Sequence, residues 1–95
     1  MGARLKSRSA RFRRGLLHCA QQGLCGICGR KLYGTKGTSL DHVLPLSRGG
    51  GNEGNLLLAH KRCNGAKGSR LPTGCELIFL DIVNIKLAQF REVCP

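Results

Sequence analysis

Four residues in two spaced pairs, Cys25-x-x-Cys28 and His60-x-x-Cys63, constrain the fold of this chain more than anything else in it. A gap of two residues lets both side chains of a pair curl onto one ion, and two such pairs complete a tetrahedron. Thiolate and imidazole ligands suit Zn²⁺. Four protein ligands leave no position for a substrate, so this zinc is expected to be structural. The length makes such a staple useful. A chain of 95 residues builds one domain with a thin core, and metal binding then adds folding free energy that burial alone struggles to supply. The rival reading is a redox Cys-x-x-Cys with an incidental His60 and Cys63, but the chain lacks the βαβ pattern a thioredoxin-like motif needs.

The six cysteines do not read as a disulfide framework, because no secretory signal precedes them. A reducing, cytoplasmic setting is expected, in a bacterium or a phage-infected cell, where paired cysteines are more often metal ligands. No stretch approaches the roughly 20 apolar residues of a membrane span. Cys19, Cys75 and Cys94 are left over; Cys19 is expected to be a small buried hydrophobe and Cys94 an exposed thiol.

The formal net charge is +11, and the first acidic residue is Asp41. Such asymmetry predicts a polyanionic partner whose phosphates are neutralised with release of counterions. A merely solvating basic face is the plainer alternative, but solubility rarely requires a charge above about 8 in a small domain. The four aromatic residues, Phe12, Tyr33, Phe79 and Phe90, do not interleave with a basic cluster in this reading. Contact with the phosphate backbone is therefore expected in preference to base stacking.

Along the chain, 1–24 reads as a basic N-terminal segment, 25–70 as a zinc-bound core and 71–95 as a packing helix, all within one domain. Residues 7–22 suggest a helix with Phe12, Leu16 and Ala20 on its apolar side and Ser9 as a possible N-cap. Arg4, Arg8 and Arg11 share a stripe with Arg14 and His18 nearby, which suits a phosphate backbone. Residues 31–33 and 38–43 suggest a short hairpin, with Tyr33 packed on it. Ser47-Arg48-Gly49-Gly50-Gly51-Asn52 reads as a flexible loop, 55–59 as a brief strand or turn and 61–69 as a short helix. Thr73-x-x-Glu76 matches a capping box that opens a helix of about 18 residues. Its polar arc holds Asp81, Asn84, Arg91 and Glu92, and its apolar arc Ile78, Phe79, Ile82, Val83, Leu87 and Phe90. A strand over 77–83 is the alternative there.

Between the zinc pairs lie Leu40-Asp41-His42-Val43-Leu44-Pro45-Leu46-Ser47-Arg48-Gly49-Gly50, then Asn55-Leu56, then Cys63-Asn64-Gly65-Ala66-Lys67. In these motifs, their order and their spacing, residues 11–70 resemble the HNH nuclease family. The resemblance implies an α+β, zinc-stapled ββα-metal fold, here with flanking N- and C-terminal helices. It implies a DNA endonuclease of low sequence specificity that uses one divalent cation, Mg²⁺ or Mn²⁺. Carried onto this sequence, His42 resembles the general base, Asp41 and Asn64 the ligands of the catalytic cation, and Asn55 the residue that pins the loop and orients His42. The chemistry itself needs such groups. Imidazole exchanges protons near neutral pH, and Mg²⁺ prefers carboxylate, carbonyl and water oxygens. Lys67, Arg70 and Arg48 are expected to hold flanking phosphates, with Arg8, Arg11 and Arg14 on the basic helix.

Duller roles stand beside these. Neighbouring Asp41 and His42 face opposite ways on a regular strand, so a bulge is expected if both serve one site. Asn64 also suits a helix N-cap. Glu53 reads as an exposed loop acid and His18 as a helix surface residue. Two positions depart from the common family pattern: His60 stands where a cysteine is usual, and Asn64 where histidine often is. The second departure bears on metal preference, because an amide oxygen binds transition metals less tightly than imidazole. A non-catalytic zinc-ribbon-like module that binds nucleic acid, or an accessory subunit of a phage packaging or restriction complex, is the alternative function.

Overall fold

The computed structural model describes residues 7–93, with side chains from Ala10 to Phe90. Arg4, the side chains of Arg8, Ser9, Arg91 and Glu92, and Cys94 lie outside the described residues. The apolar run Leu56-Leu57-Leu58-Ala59 decides the centre of the fold. All four residues are buried, and they form most of strand β2, Leu56–His60. A strand buried on both faces reads as a continuous apolar run rather than an alternating one. Its antiparallel partner is β1, Thr38–His42, in continuous register from Thr38↔His60 to His42↔Leu56. The expected hairpin between 31–33 and 38–43 is therefore replaced by pairing across the loop. The earlier segment makes only a single bridge, Leu24↔Lys31. Leu32 goes into the core instead, and Tyr33 is 83% exposed rather than packed on a hairpin.

Helix α1, Ser7–Ala20, packs against both strands. Leu17 and Ala20 are its buried side, with Gln21 buried in the turn just after it, whereas Phe12 is 69% exposed and Cys19 is also exposed. The apolar arc is thus turned from the expected one, and Ser9 lies inside the helix rather than capping it. Gln21 explains the rotation. Its amide accepts from Leu58 N at 2.6 Å and donates to Leu58 O at 2.9 Å, closing the outer edge of β2 that would otherwise offer unpaired backbone.

Helix α2, Lys61–Lys67, follows β2 without a break, with His60 at its N-cap and Gly68 after its last turn. Asn64 is inside this helix and is not its cap. Helix α3, Gly74–Val93, confirms the capping box: Glu76 N donates to Thr73 Oγ1, and Thr73 N donates to Glu76 Oε1, at 3.1 and 3.0 Å. The strand alternative over 77–83 is excluded. Leu80 and Val83 enter the core, with Phe79, Leu87 and Phe90 packed against it. Ile78, Ile82 and Ile85 form an outward stripe, 46–63% exposed, so two residues of the expected apolar arc face away. No helix among the described residues is long and apolar enough to cross a membrane.

Glu76 also receives Arg70, whose Nη2 lies 2.9 Å from Oε2. Burial pushes the Glu76 carboxyl up, but hydrogen bonds from Arg70 and the Thr73 backbone outweigh it and leave it below its ordinary value of 4.5. A carboxylate lowered on folding stabilises the fold above that ordinary value, and the contribution is lost as pH falls through the folded one. Thr73→Ala is expected to cost about 1 kcal/mol, read as a drop in Tm of about 4–8 °C. The stability deficit of Glu76→Gln relative to the parent should be constant near neutrality and shrink below about pH 4.5. Thermal melts across pH check both; a deficit that grows on acidification would contradict the capping role.

Candidate active site and metal centre

The four paired ligands come together where the sequence places them. Cys25 and Cys28 sit on the turn after α1, His60 ends β2 and Cys63 lies in the first turn of α2. Their ligand atoms all lie within 4.8 Å of one another. His60 Nδ1 is 3.5 Å from Cys28 Sγ and 3.7 Å from Cys63 Sγ. Ligand sulfurs 2.3 Å from a tetrahedral zinc stand about 3.8 Å apart, so the donor set fits that ion. The other ring nitrogen, Nε2, is 3.2 Å from the Lys31 carbonyl. A carbonyl only accepts, so Nε2 carries the proton and Nδ1 is the free ligand. Cys25 Sγ accepts from the backbone of Ile27 and His60, and Cys28 Sγ accepts from Arg30 N.

The cysteines do not titrate alike. Burial raises the Cys25 thiol, but backbone hydrogen bonds from Cys28, His60 and Ile27 outweigh it and bring it to about 7. Cys63 is pushed up to about 11 by burial and then by the neighbouring Cys28 and Cys25. Three clustered sulfurs resist ionising together, and a bound cation removes that resistance.

The second site lies at the opposite end of the sheet. A cleft of about 250 Å³ opens there, with Asp41, His42, Ser47, Asn64 and Ser69 on its walls. Asp41 and His42 are consecutive, yet no bulge separates them. The register is continuous to His42, and both reach the cleft because it lies around the strand's terminus. His42 Nε2 is 2.8 Å from Asn52 Oδ1. An amide oxygen only accepts, so Nε2–H donates and Nδ1 is left unprotonated. Asn52 was not singled out by the sequence; it sits in the glycine-rich loop with no motif to mark it.

Asn55 braces that loop rather than touching His42. Its Oδ1 accepts from Leu44 N at 2.8 Å, and its Nδ2 donates to Leu44 O and Gly51 O, each at 2.9 Å. Gly50 is required at the same crossing, because a Cβ there would fall 1.8 Å from Leu44 O. Asn84 on α3 ties the loop from outside by donating to Gly54 O at 3.0 Å.

Asn64 donates through Nδ2 to Ser39 Oγ at 2.8 Å and to Leu40 O at 3.3 Å. Lys67 corrects an expectation. It is 5% exposed, and its ammonium donates to Asp41 Oδ1, His42 O and Val43 O at 3.0, 3.1 and 3.2 Å. All three of its hydrogens are engaged inside, so it is no surface phosphate ligand. Burial raises the Asp41 carboxyl, with Lys67 opposing. Arg70 is likewise diverted to Glu76 and the Leu71 carbonyl. Arg48 stays exposed beside the cleft, its Nε donating to the carbonyl of the cleft residue Ser69 at 2.7 Å. Arg11 is exposed and Arg14 half-buried on α1; Glu53 is exposed and His18 half-buried.

Two expectations follow. Loading Zn²⁺ into the cluster displaces thiol protons, so apparent affinity should rise from about pH 6 to about pH 8 in competition with a chromophoric chelator, and metal removal should unfold the chain. A pH-independent affinity would show that the thiols are not the ligands. Lys67→Met should destabilise by about 3–5 kcal/mol because it strands a buried carboxylate, and adding Asp41→Asn should recover part of that loss in denaturant titrations. Additive effects would show the pair to be uncoupled.

Residues 25–70 match the family model for HNH endonuclease. No curated protein and no solved structure matches the chain. The matched segment contains the paired strands, the helix after them, the four candidate metal ligands and the cleft. Over this segment the chain is similar to the HNH endonuclease family.

Proposed function

We propose that the chain is a metal-dependent endonuclease that hydrolyses phosphodiester bonds in DNA, with His42 as general base. The observation that carries this reading is the cleft itself, which gathers Asp41, His42 and Asn64 from two elements around one small opening. His42 is oriented for the task. With Nε2–H fixed on Asn52, Nδ1 is the atom that accepts a proton from the attacking water, and the proton is carried on the ring afterwards. Asn52 thereby also stabilises the imidazolium that forms.

Asp41 and Asn64 would hold the divalent cation through a carboxylate and an amide oxygen. Two oxygen donors in an open cleft suit an ion that keeps most of its waters, as Mg²⁺ or Mn²⁺ does. When bound, that ion supplies positive charge at the phosphoryl oxygen and the leaving 3′ oxygen. Lys67 acts from behind: its ammonium holds the Asp41 carboxylate in place and favours the ionised form against the burial that opposes it. The exposed Arg48 would hold a flanking phosphate, and Arg11 and Arg14 on α1 would add a sequence-independent attraction. The cluster of Cys25, Cys28, His60 and Cys63 would hold Zn²⁺ as scaffold and take no part in the reaction.

Supercoiled plasmid with added Mg²⁺ or Mn²⁺ tests the proposal. The parent should nick or linearise it, and His42→Ala should lower the rate by about 10²–10⁴-fold. Asn52→Ala should reduce the rate while leaving substrate binding unchanged. Equal inactivity of parent and His42→Ala would favour a non-catalytic nucleic-acid-binding module.

A further inference from the structure

Across the sheet from the cleft lies a larger hollow of about 580 Å³, bounded by Arg30, Lys31, Tyr33, Lys61 and Arg62. It sits where Gly37 leads into β1 and His60 ends β2. Among the described residues, no acidic one lines it. Four cations thus face one concavity with no partner charge among its walls, and all four are exposed. Charge alone would mark a solvated surface. The second observation is Tyr33, whose ring is 83% exposed at the same place, with the Lys31 ammonium 5.4 Å from its centroid. An exposed aromatic with a cation over one face leaves its other face for a flat partner.

We propose that this groove binds an unpaired stretch of the DNA substrate, with a base stacked on Tyr33 and its flanking phosphates on Arg30, Lys31, Lys61 and Arg62. Stacking on an aromatic set in a basic groove is how single strands are held without sequence preference. Bases inside a duplex have no free face, so Tyr33 selects an unpaired one. The groove is rigid where it matters, because the Lys31 backbone is fixed by His60, itself a member of the metal cluster.

The proposal rests on the nuclease reading for its meaning and deepens it. The groove and the cleft stand at opposite ends of a five-residue strand. At about 3.4 Å per residue they are about 14 Å apart. That is about four nucleotides of stacked strand. The enzyme's substrate is then DNA with a single-stranded segment a few nucleotides from the scissile bond.

The test is fluorescence anisotropy of the intact protein with a fluorescein-labelled single strand of thymidines and with a duplex of equal length, without added Mg²⁺ or Mn²⁺. Tyr33→Ala should weaken single-strand binding by about 5- to 150-fold, as loss of one base stack does, and leave duplex binding unchanged. Tyr33→Phe should bind as the parent does. Arg62→Ala should lower the salt slope for the single strand by about 0.7. Tyr33 is exposed, and metal content of each variant reports folding. Tyr33→Ala binding both DNAs like the parent, or losing affinity for both equally, overturns the proposal. The His42→Ala plasmid comparison fails or succeeds independently, so the nuclease reading and this one fall separately.

Discussion

The constraint on which the structure depends is that residues 35 positions apart must meet at one point, Cys25 beneath the backbone of His60. His60 carries three duties at once. It ends β2, stands at the N-cap of α2 and offers Nδ1 to the cluster. Fixing its ring therefore fixes where the strand stops and at what rotation the helix begins. Asn64 and Lys67 follow on α2 by helical spacing, so the position of the cluster propagates to the far side of the sheet. A seven-residue helix does not hold itself, and α2 gets its order from what anchors its two ends.

The second anchor is polar. Lys67 is buried against Asp41 and two backbone carbonyls, while Asn64 is bonded to Ser39 and Leu40. A buried ion pair contributes little net stability, since removing two charges from water costs as much as their attraction returns. It does discriminate among arrangements, because any slip of α2 along β1 strands an ammonium or a carboxylate. The register that matters for the cleft is thus enforced by a contact that adds little to overall stability.

The cluster of Cys25, Cys28, His60 and Cys63 and the capping box of α3 were legible because each rests on short-range spacing, two residues within each metal-binding pair and three within the box. The need for glycine at position 50 was not, because it is set by the Leu44 carbonyl. The roles of Lys67, Asn52 and Gln21 were not, because each is set by a partner at least ten positions away. Lys67 looks like any basic helix residue until Asp41 is seen under it. The helix faces failed for a different reason. Both α1 and α3 carry apolar residues on more than one side, so periodicity identifies a helix without saying which arc meets the core. Phe12, Ile78 and Ile82 were assigned inward on that basis and face outward. The strand pairing failed because 31–33 is near in sequence, whereas 56–60 offers four buried apolar residues in a row.

The Cys25, Cys28, His60 and Cys63 cluster and the cleft stand at opposite ends of one short sheet. The cleft's walls are β1's terminus, the turn after Pro45 and α2, so the cluster fixes one wall through Asn64, which follows Cys63, and leaves the loop wall to other contacts. That turn is tied at Asn55 and at Gly54, but its tip carries Gly49 at a positive φ and the exposed Arg48. Asn52, which accepts from His42 Nε2, belongs to the same loop. The division of labour follows from topology. A strand of five residues is long enough to separate the two centres, and α2 is short enough that both its ends are pinned.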